Sequence, residues 1–331
     1  MTKFSERAQG FPWPFAEGET DFRYSVNVEP ARVRRTTATG GWGEHLVDLG
    51  GSDYTQLMQQ RREVIAAHPE RRRVLPGMEM ACWDLLLYYL RDMAAAYPES
   101  MHLGEEGKNF HWRNDLLGTD QAFTFGQEES LPTDPLTFLA SEIPDDLVLL
   151  TERDGELFFD AGLVTFAASW SVSFNVGMSM TEIHGPVPRM TAEGMTRRAE
   201  IFMRQLQPGQ AYRRLNWSTS KHRGERLDTS LETYREWESE IPQLVEEEDW
   251  GSLQLRNELQ HFVRLPMTGT VAFAIRTYIL PLAEIREIPE WRDQLASILR
   301  ELPEDLATYK GFGDFREEIV DYLAQPADSM G

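Results

Sequence analysis

Two short runs, Leu147-Val148-Leu149-Leu150-Thr151 and Glu156-Leu157-Phe158-Phe159-Asp160, flank Arg153-Asp154-Gly155. Asp-Gly between β-prone runs signals a tight hairpin, because both central residues of the favoured turn need positive φ. The middle of the chain is thereby committed to antiparallel pairing. A third segment, 162–168, follows Ala161-Gly162, and 212–219 and 269–280 read as further strands. Apolar residues recur at helical spacing over 53–68 and 77–97, with Pro98 closing the second stretch, and 191–206, 284–301 and 314–325 also read as helices. This order of helix, strands, helix, strands, helix favours an α+β fold over a doubly wound parallel sheet. The first 35 residues carry Phe11, Pro12, Trp13, Pro14 and Phe15, a stiff aromatic arm that reads as packed coil.

Composition narrows the function more than the fold. Across 331 residues, 41% hydrophobic and 26% charged content is ordinary for a globular chain of one large or two modest domains. A formal net charge of −21 repels phosphate and disfavours nucleic-acid partners. The single cysteine, Cys82, cannot supply an intrachain disulfide or a four-cysteine cluster, and beside the stripe of Trp83, Leu86, Leu87 and Leu90 it reads as a small hydrophobe. The start MTKFSERAQGF has no apolar run behind its charges, and the longest greasy run, Leu85 to Leu90, is far below the roughly 20 residues of a membrane span. A soluble, cytoplasmic protein is expected. The acidic run Glu246-Glu247-Glu248-Asp249 reads as a solvated turn.

Common cofactor fingerprints fail. There is no GxGxxG, HExxH or GxSxG, and Gly104-Glu105-Glu106-Gly107-Lys108 is too short for a P-loop. Glu258-Leu259-Gln260-His261, read on a helix, puts a carboxylate and an imidazole on one face; di-iron carboxylate sites need that spacing twice, and it occurs once. His184 has the most informative setting, in Met180-Thr181-Glu182-Ile183-His184-Gly185-Pro186-Val187-Pro188. A helix ended by Gly185 would hold the imidazole at the negative end of the dipole. Val176, Met178, Met180, Ile183 and Val187 could line a greasy slot for a haem. By spacing alone, His184 is a C-cap or an axial ligand.

The strings Ala168-Ser169-Trp170, Ile183-His184-Gly185-Pro186-Val187-Pro188, Arg214-Leu215-Asn216-Trp217 and Leu255-Arg256-Asn257-Glu258-Leu259-Gln260, running through Arg264-Leu265-Pro266 to Ile275-Arg276-Thr277-Tyr278, occur in this order. Together they resemble the haem-dependent oxidative N-demethylase alpha-subunit family, over roughly Leu131 to Leu282. The resemblance implies a PAS-like antiparallel sheet with flanking helices enclosing haem b. It divides the chain into an N-terminal arm and helical region, 1–130, a haem-binding core, 131–282, and C-terminal helices, 283–331. It also implies a monooxygenase that oxidises a small secondary amine such as dimethylamine with dioxygen, releasing formaldehyde. Electrons would come from NADPH through a separate flavin and iron–sulfur reductase subunit.

Carried over by residue, the resemblance makes His184 the proximal iron ligand. Arg214, Arg256, Arg264 and Arg276 become candidates for pairing the haem propionates, with structural ion pairs as the alternative. Trp217 and Tyr278, with Trp170, are candidates for the pocket wall or for ordinary core. The chain departs from the family pattern at Asn175, Leu259 and His261, which leaves a different amine open. A non-catalytic haem sensor of gas or redox state and a haem-free structural subunit are the rival readings.

Overall fold

The computed structural model describes residues 4–50, 53–220, 227–231 and 240–325. The Asp-Gly hairpin forms as expected, joining strands Asp146–Arg153 and Glu156–Leu163 with Asp154 at φ 51° and Gly155 at φ 85°. It belongs to a seven-stranded sheet in which every pairing is antiparallel. From one edge to the other the order is Glu29–Pro30, Ala211–Thr219, Gln254–Arg264, Val271–Pro281, Asp146–Arg153, Glu156–Leu163 and Arg72–Val74. Twelve α-helices occur among the described residues. The architecture is therefore mixed α and β with antiparallel sheets. No helix among the described residues is long and apolar enough to cross a membrane.

Period-two alternation sorts the long hairpin, Gln254–Arg264 with Val271–Pro281, into two faces. Leu255, Asn257, Leu259, His261 and Val263 point to one side. There, helix Glu79–Ala96 packs on one half of the sheet and helices Pro289–Glu301 and Arg316–Ala324 on the other. Arg256, Glu258, Gln260 and Phe262 point to the opposite side, with Tyr212, Arg214 and Asn216 of the neighbouring strand in register. Short helices Val172–Asn175 and Met180–Ile183 and helix Met195–Arg204 cover that side through Val172, Met180 and Met203.

Several expectations need correction. The stretch expected as a helix carrying Glu258 and His261 is a strand, so the two side chains project to opposite faces and do not form a ligand pair. Leu255, Leu259 and Phe262 mimic helical spacing, but ladders on both flanks decide the conformation. The segment 162–168 is not a separate strand. The second hairpin strand runs through Gly162, where a Cβ would lie 2.6 Å from the Phe159 ring, and ends at Leu163. Beyond it, Asp146 takes the amides of Thr165 (2.7 Å) and Phe166 (3.0 Å), which leave the ladder. The expected helix 284–301 is two helices, Leu282–Arg286 and Pro289–Glu301. The segment containing the rejected P-loop candidate is part of a three-stranded sheet, Met101–Glu106, Asn109–Asn114 and Thr119–Thr124.

The aromatic arm is packed coil apart from the short helix Glu6–Gly10 and the edge strand Glu29–Pro30. Trp13 stacks on Trp291 with ring centroids 4.5 Å apart and donates to Gln294 at 2.8 Å. Asn257 donates to the Pro12 carbonyl at 2.7 Å. Cys82 is buried, and burial pushes its thiol up to about 12, as fits a packing residue.

Three buried arginines clamp the chain where it leaves the sheet. Arg61 donates to Asp146 (2.6 Å), Thr165 (2.5 Å) and the Ala140 carbonyl (2.8 Å). Arg71 donates to the Thr165 carbonyl (2.8 Å) and pairs with Asp228. Arg256 donates to the carbonyls of Phe166 and Leu227. Removing one partner of a buried pair strands the other charge. Arg61→Met is therefore expected to lower stability in urea unfolding by about 3–5 kcal/mol, against at most about 1 kcal/mol for breaking the exposed Arg91–Glu105 pair.

His261 is fully buried with neither ring nitrogen hydrogen-bonded among the described residues, and burial, with Arg213 and Arg32 adding to it, lowers its pKa to about 3. Below about 6.5 the unfolded chain takes up this proton and the folded chain does not, so stability falls by about 1.4 kcal/mol per pH unit as pH drops toward 3. His261→Leu is expected to flatten that decline, measured as the difference between urea midpoints of the two proteins at pH 7 and pH 4.

Candidate functional site

Position 184 is fixed locally by its own chain. Ser179 accepts from the Glu182 amide while the Glu182 carboxylate accepts from the Ser179 amide, so the turn Met180–Ile183 carries a complete capping box. His184 follows as the C-cap, and its Nδ1 lies 2.8 Å from the Met180 carbonyl. A proton on Nδ1 satisfies that carbonyl and leaves the Nε2 lone pair available. Nε2 makes no hydrogen bond among the described residues. Burial lowers the pKa of this imidazole, the hydrogen bond to the Met180 carbonyl opposes that, and the positive charge of Arg214 lowers it further, so the neutral ring is favoured. A neutral imidazole oriented by a carbonyl is the form that ligates a metal.

The sheet face on this side is incompletely sealed. Gln260 and Phe262 retain 8% exposure and Ile275 and Ile279 6%, whereas Leu255, Asn257, Val263 and Ala274 on the other face are at 0%. Arg214 stands on the less sealed face, half-buried, with its Nε inaccessible to solvent and without a hydrogen-bond partner. Glu258, Tyr24, Tyr309, Lys310 and His184 are ionisable groups with which it interacts electrostatically. A buried Nε without an acceptor leaves a donor that an anionic group could take. Arg214 also lines two openings at this edge of the sheet. One is a groove of about 780 Å³ beneath the aromatic arm, and the other a cavity of about 90 Å³ walled by Tyr24, Val187, Asn216 and Lys310.

The other candidates divide. Arg256 shares the face, and its terminal nitrogens donate to Phe166, Leu227 and Thr277 (3.2 Å), while its Nε, also without a hydrogen bond among the described residues, pairs with Glu258 at 3.5 Å. Arg264 holds the C-terminal end of helix Met195–Arg204, donating to the carbonyls of Arg204 (2.7 Å) and Leu206 (2.8 Å) and to Gly269 (2.7 Å). Arg276 and Tyr278 point to the opposite face. There the Tyr278 hydroxyl donates to Asp48, and the Arg276 guanidinium lies 4.7 Å from the Tyr278 ring. The Trp217 ring also leaves the Arg214 face, packing 5.3 Å from Phe15 and 5.7 Å from Phe312. The positive charge of Arg214 acts on His184, while Arg264, Arg276 and Tyr278 are tied to neighbouring loops and helix ends.

Sequence reasoning missed Lys310, Tyr24 and Tyr309. They come from the arm and from the far C-terminal region, and no short motif connects them with position 184. One signal was present for Lys310: only four of the 33 basic residues are lysines, at positions 3, 108, 221 and 310.

Among the described residues, no three His, Cys, Asp or Glu side chains converge on a point that could hold a bare metal ion. One imidazole with one unpaired guanidinium instead suits a group that brings its own equatorial ligands and carries carboxylates, which is the chemistry of haem. The strings around His184, Arg214 and the long hairpin lie within residues 42–320, which the family model described as haem-dependent oxidative N-demethylase, alpha subunit-like, matches. The chain belongs to that family.

Proposed function

We propose that this protein is the haem-bearing subunit of an oxidative N-demethylase acting on a small secondary amine, with dioxygen as oxidant, electrons from a partner reductase and formaldehyde as a product. The reading is supported above all by the family match, together with a His184 imidazole oriented through Nδ1 and an Arg214 Nε left without an acceptor, whose positive charge acts on that ring. His184 would hold the iron and Arg214 a propionate. Bound there, the haem would supply the activation of dioxygen that oxidation of an N-methyl carbon requires.

The chain's own residues have narrower tasks. The Met180 carbonyl keeps the His184 proton on Nδ1, which fixes the tautomer and the ring plane. Arg214 raises the cost of protonating His184 and offers a planar donor set to a carboxylate. Met180, Phe262 and Phe273 keep this side of the sheet apolar and exclude water. The family's alpha-subunit description points to a partner subunit. With Cys82 as its only cysteine, this chain cannot hold a four-cysteine iron–sulfur cluster, so such an electron carrier belongs to that partner.

The purified protein reconstituted with haem is expected to show a Soret band that shifts with dithionite and carbon monoxide. His184→Ala should abolish the native spectrum, and imidazole added to that variant should restore it in part; an unchanged band would refute the ligand. Arg214→Ala should weaken haem retention about tenfold to a hundredfold, as expected for one charge-assisted hydrogen bond of about 1.5–3 kcal/mol. Because the His184 pKa lies below its ordinary value, haem release on acidification is expected to begin below about pH 6.5.

A further inference from the structure

Lys310 is an unusual residue for this chain. With four lysines among 33 basic residues, arginine is the default cation, and a guanidinium cannot lose its proton in a protein. Position 310 nevertheless carries a primary amine, set in the wall of the 90 Å³ cavity beside Arg214. Its Nζ donates to the Trp217 carbonyl at 2.6 Å, lies 3.5 Å from Asn216 Oδ1 and sits 4.3 Å from the centre of the Trp217 ring. No carboxylate among the described residues lies within 4 Å of it. Two acceptors take two of its three substituent positions, and the side chain lines the cavity shared with Tyr24, Tyr309 and Arg214.

We propose that Lys310 is a carbonyl-reactive lysine that captures a small aldehyde as a reversible imine. The Nζ lone pair attacks the carbonyl carbon, a C–N bond forms, and the carbonyl π pair moves to oxygen, which takes the proton released by nitrogen. Loss of water from this carbinolamine gives the imine, and addition of water returns the free amine and the aldehyde. No oxidant or reductant is consumed. Burial and the positive charge of Arg214 push the Lys310 ammonium down to about 7, while Glu258 acts in the opposite sense. About half of the molecules would then carry the nucleophilic form at pH 7, against roughly one in 2,500 for an ordinary exposed lysine. The aldehyde it meets in turnover would be the one that demethylation releases, so the biological use of the site rests on the proposed function. Its reactivity does not.

The test is peptide mass mapping of the full-length protein after brief treatment with dilute formaldehyde and cyanoborohydride, which fixes each imine as an N-methyl group. At pH 7, Lys310 is expected to be labelled at least about tenfold faster than the exposed Lys108, and the advantage should vanish at pH 10. Lys310→Arg, shown to be folded by its circular dichroism, should lose the fast adduct while Lys108 is labelled as before; Lys310→Met is the second variant should the first not fold. Labelling of Lys310 no faster than Lys108 at pH 7 would overturn the proposal. The experiment needs neither haem nor electron donor, so a negative result leaves the haem spectrum untouched, and an absent Soret band leaves this reactivity standing.

Discussion

The ion pair between Arg61 and Asp146, buried at 0% and 2% side-chain exposure, governs the path of the chain into the site. Asp146 begins a central strand and also accepts two amides from the stretch that follows the next strand. A charge so deeply buried costs several kcal/mol unless every lone pair is used. Here the carboxylate is used by Arg61, Thr165 and Phe166 together. The arrangement stops the strand at Leu163 and directs the chain across the sheet toward the turn that bears His184. Arg71 and Arg256 grip the same stretch from other elements.

What the sequence revealed follows from how locally each feature is encoded. The Asp154-Gly155 turn and the helix closed before Pro98 depend on neighbours in the chain and were readable, whereas the Ser179–Glu182 capping box was missed and the stretch after His184 turns back on itself, with Val187 donating to the His184 carbonyl. The strand Gln254–Arg264 was not readable, because Arg256, Asn257, Gln260 and His261 are buried polar residues that a period-two pattern does not anticipate. Likewise, nothing local separates Arg214, which keeps an unpaired nitrogen, from Arg264, which closes a helix end. That difference exists only after the strands pair. Side-chain partners, which only the fold supplies, distinguish the arginines of the family strings from one another.

The site combines two kinds of basic group for two kinds of work. Arg214 is a permanent charge with a fork of donors, suited to a carboxylate and able to depress the basicity of its neighbours. His184 and Lys310 are those neighbours, and each is moved toward its neutral form by burial together with the same guanidinium. A single residue on one strand thus tunes both a nitrogen suited to iron and a nitrogen suited to carbon.

The stacking of Trp13 on Trp291 also bears on how the molecule is made. An aromatic segment synthesised among the first residues docks on a helix synthesised among the last, with Phe11 packed beside the same indole at 6.0 Å. The second apolar core therefore closes only once about 280 intervening residues have been made, so this half of the fold is sealed by a contact of very long sequence separation.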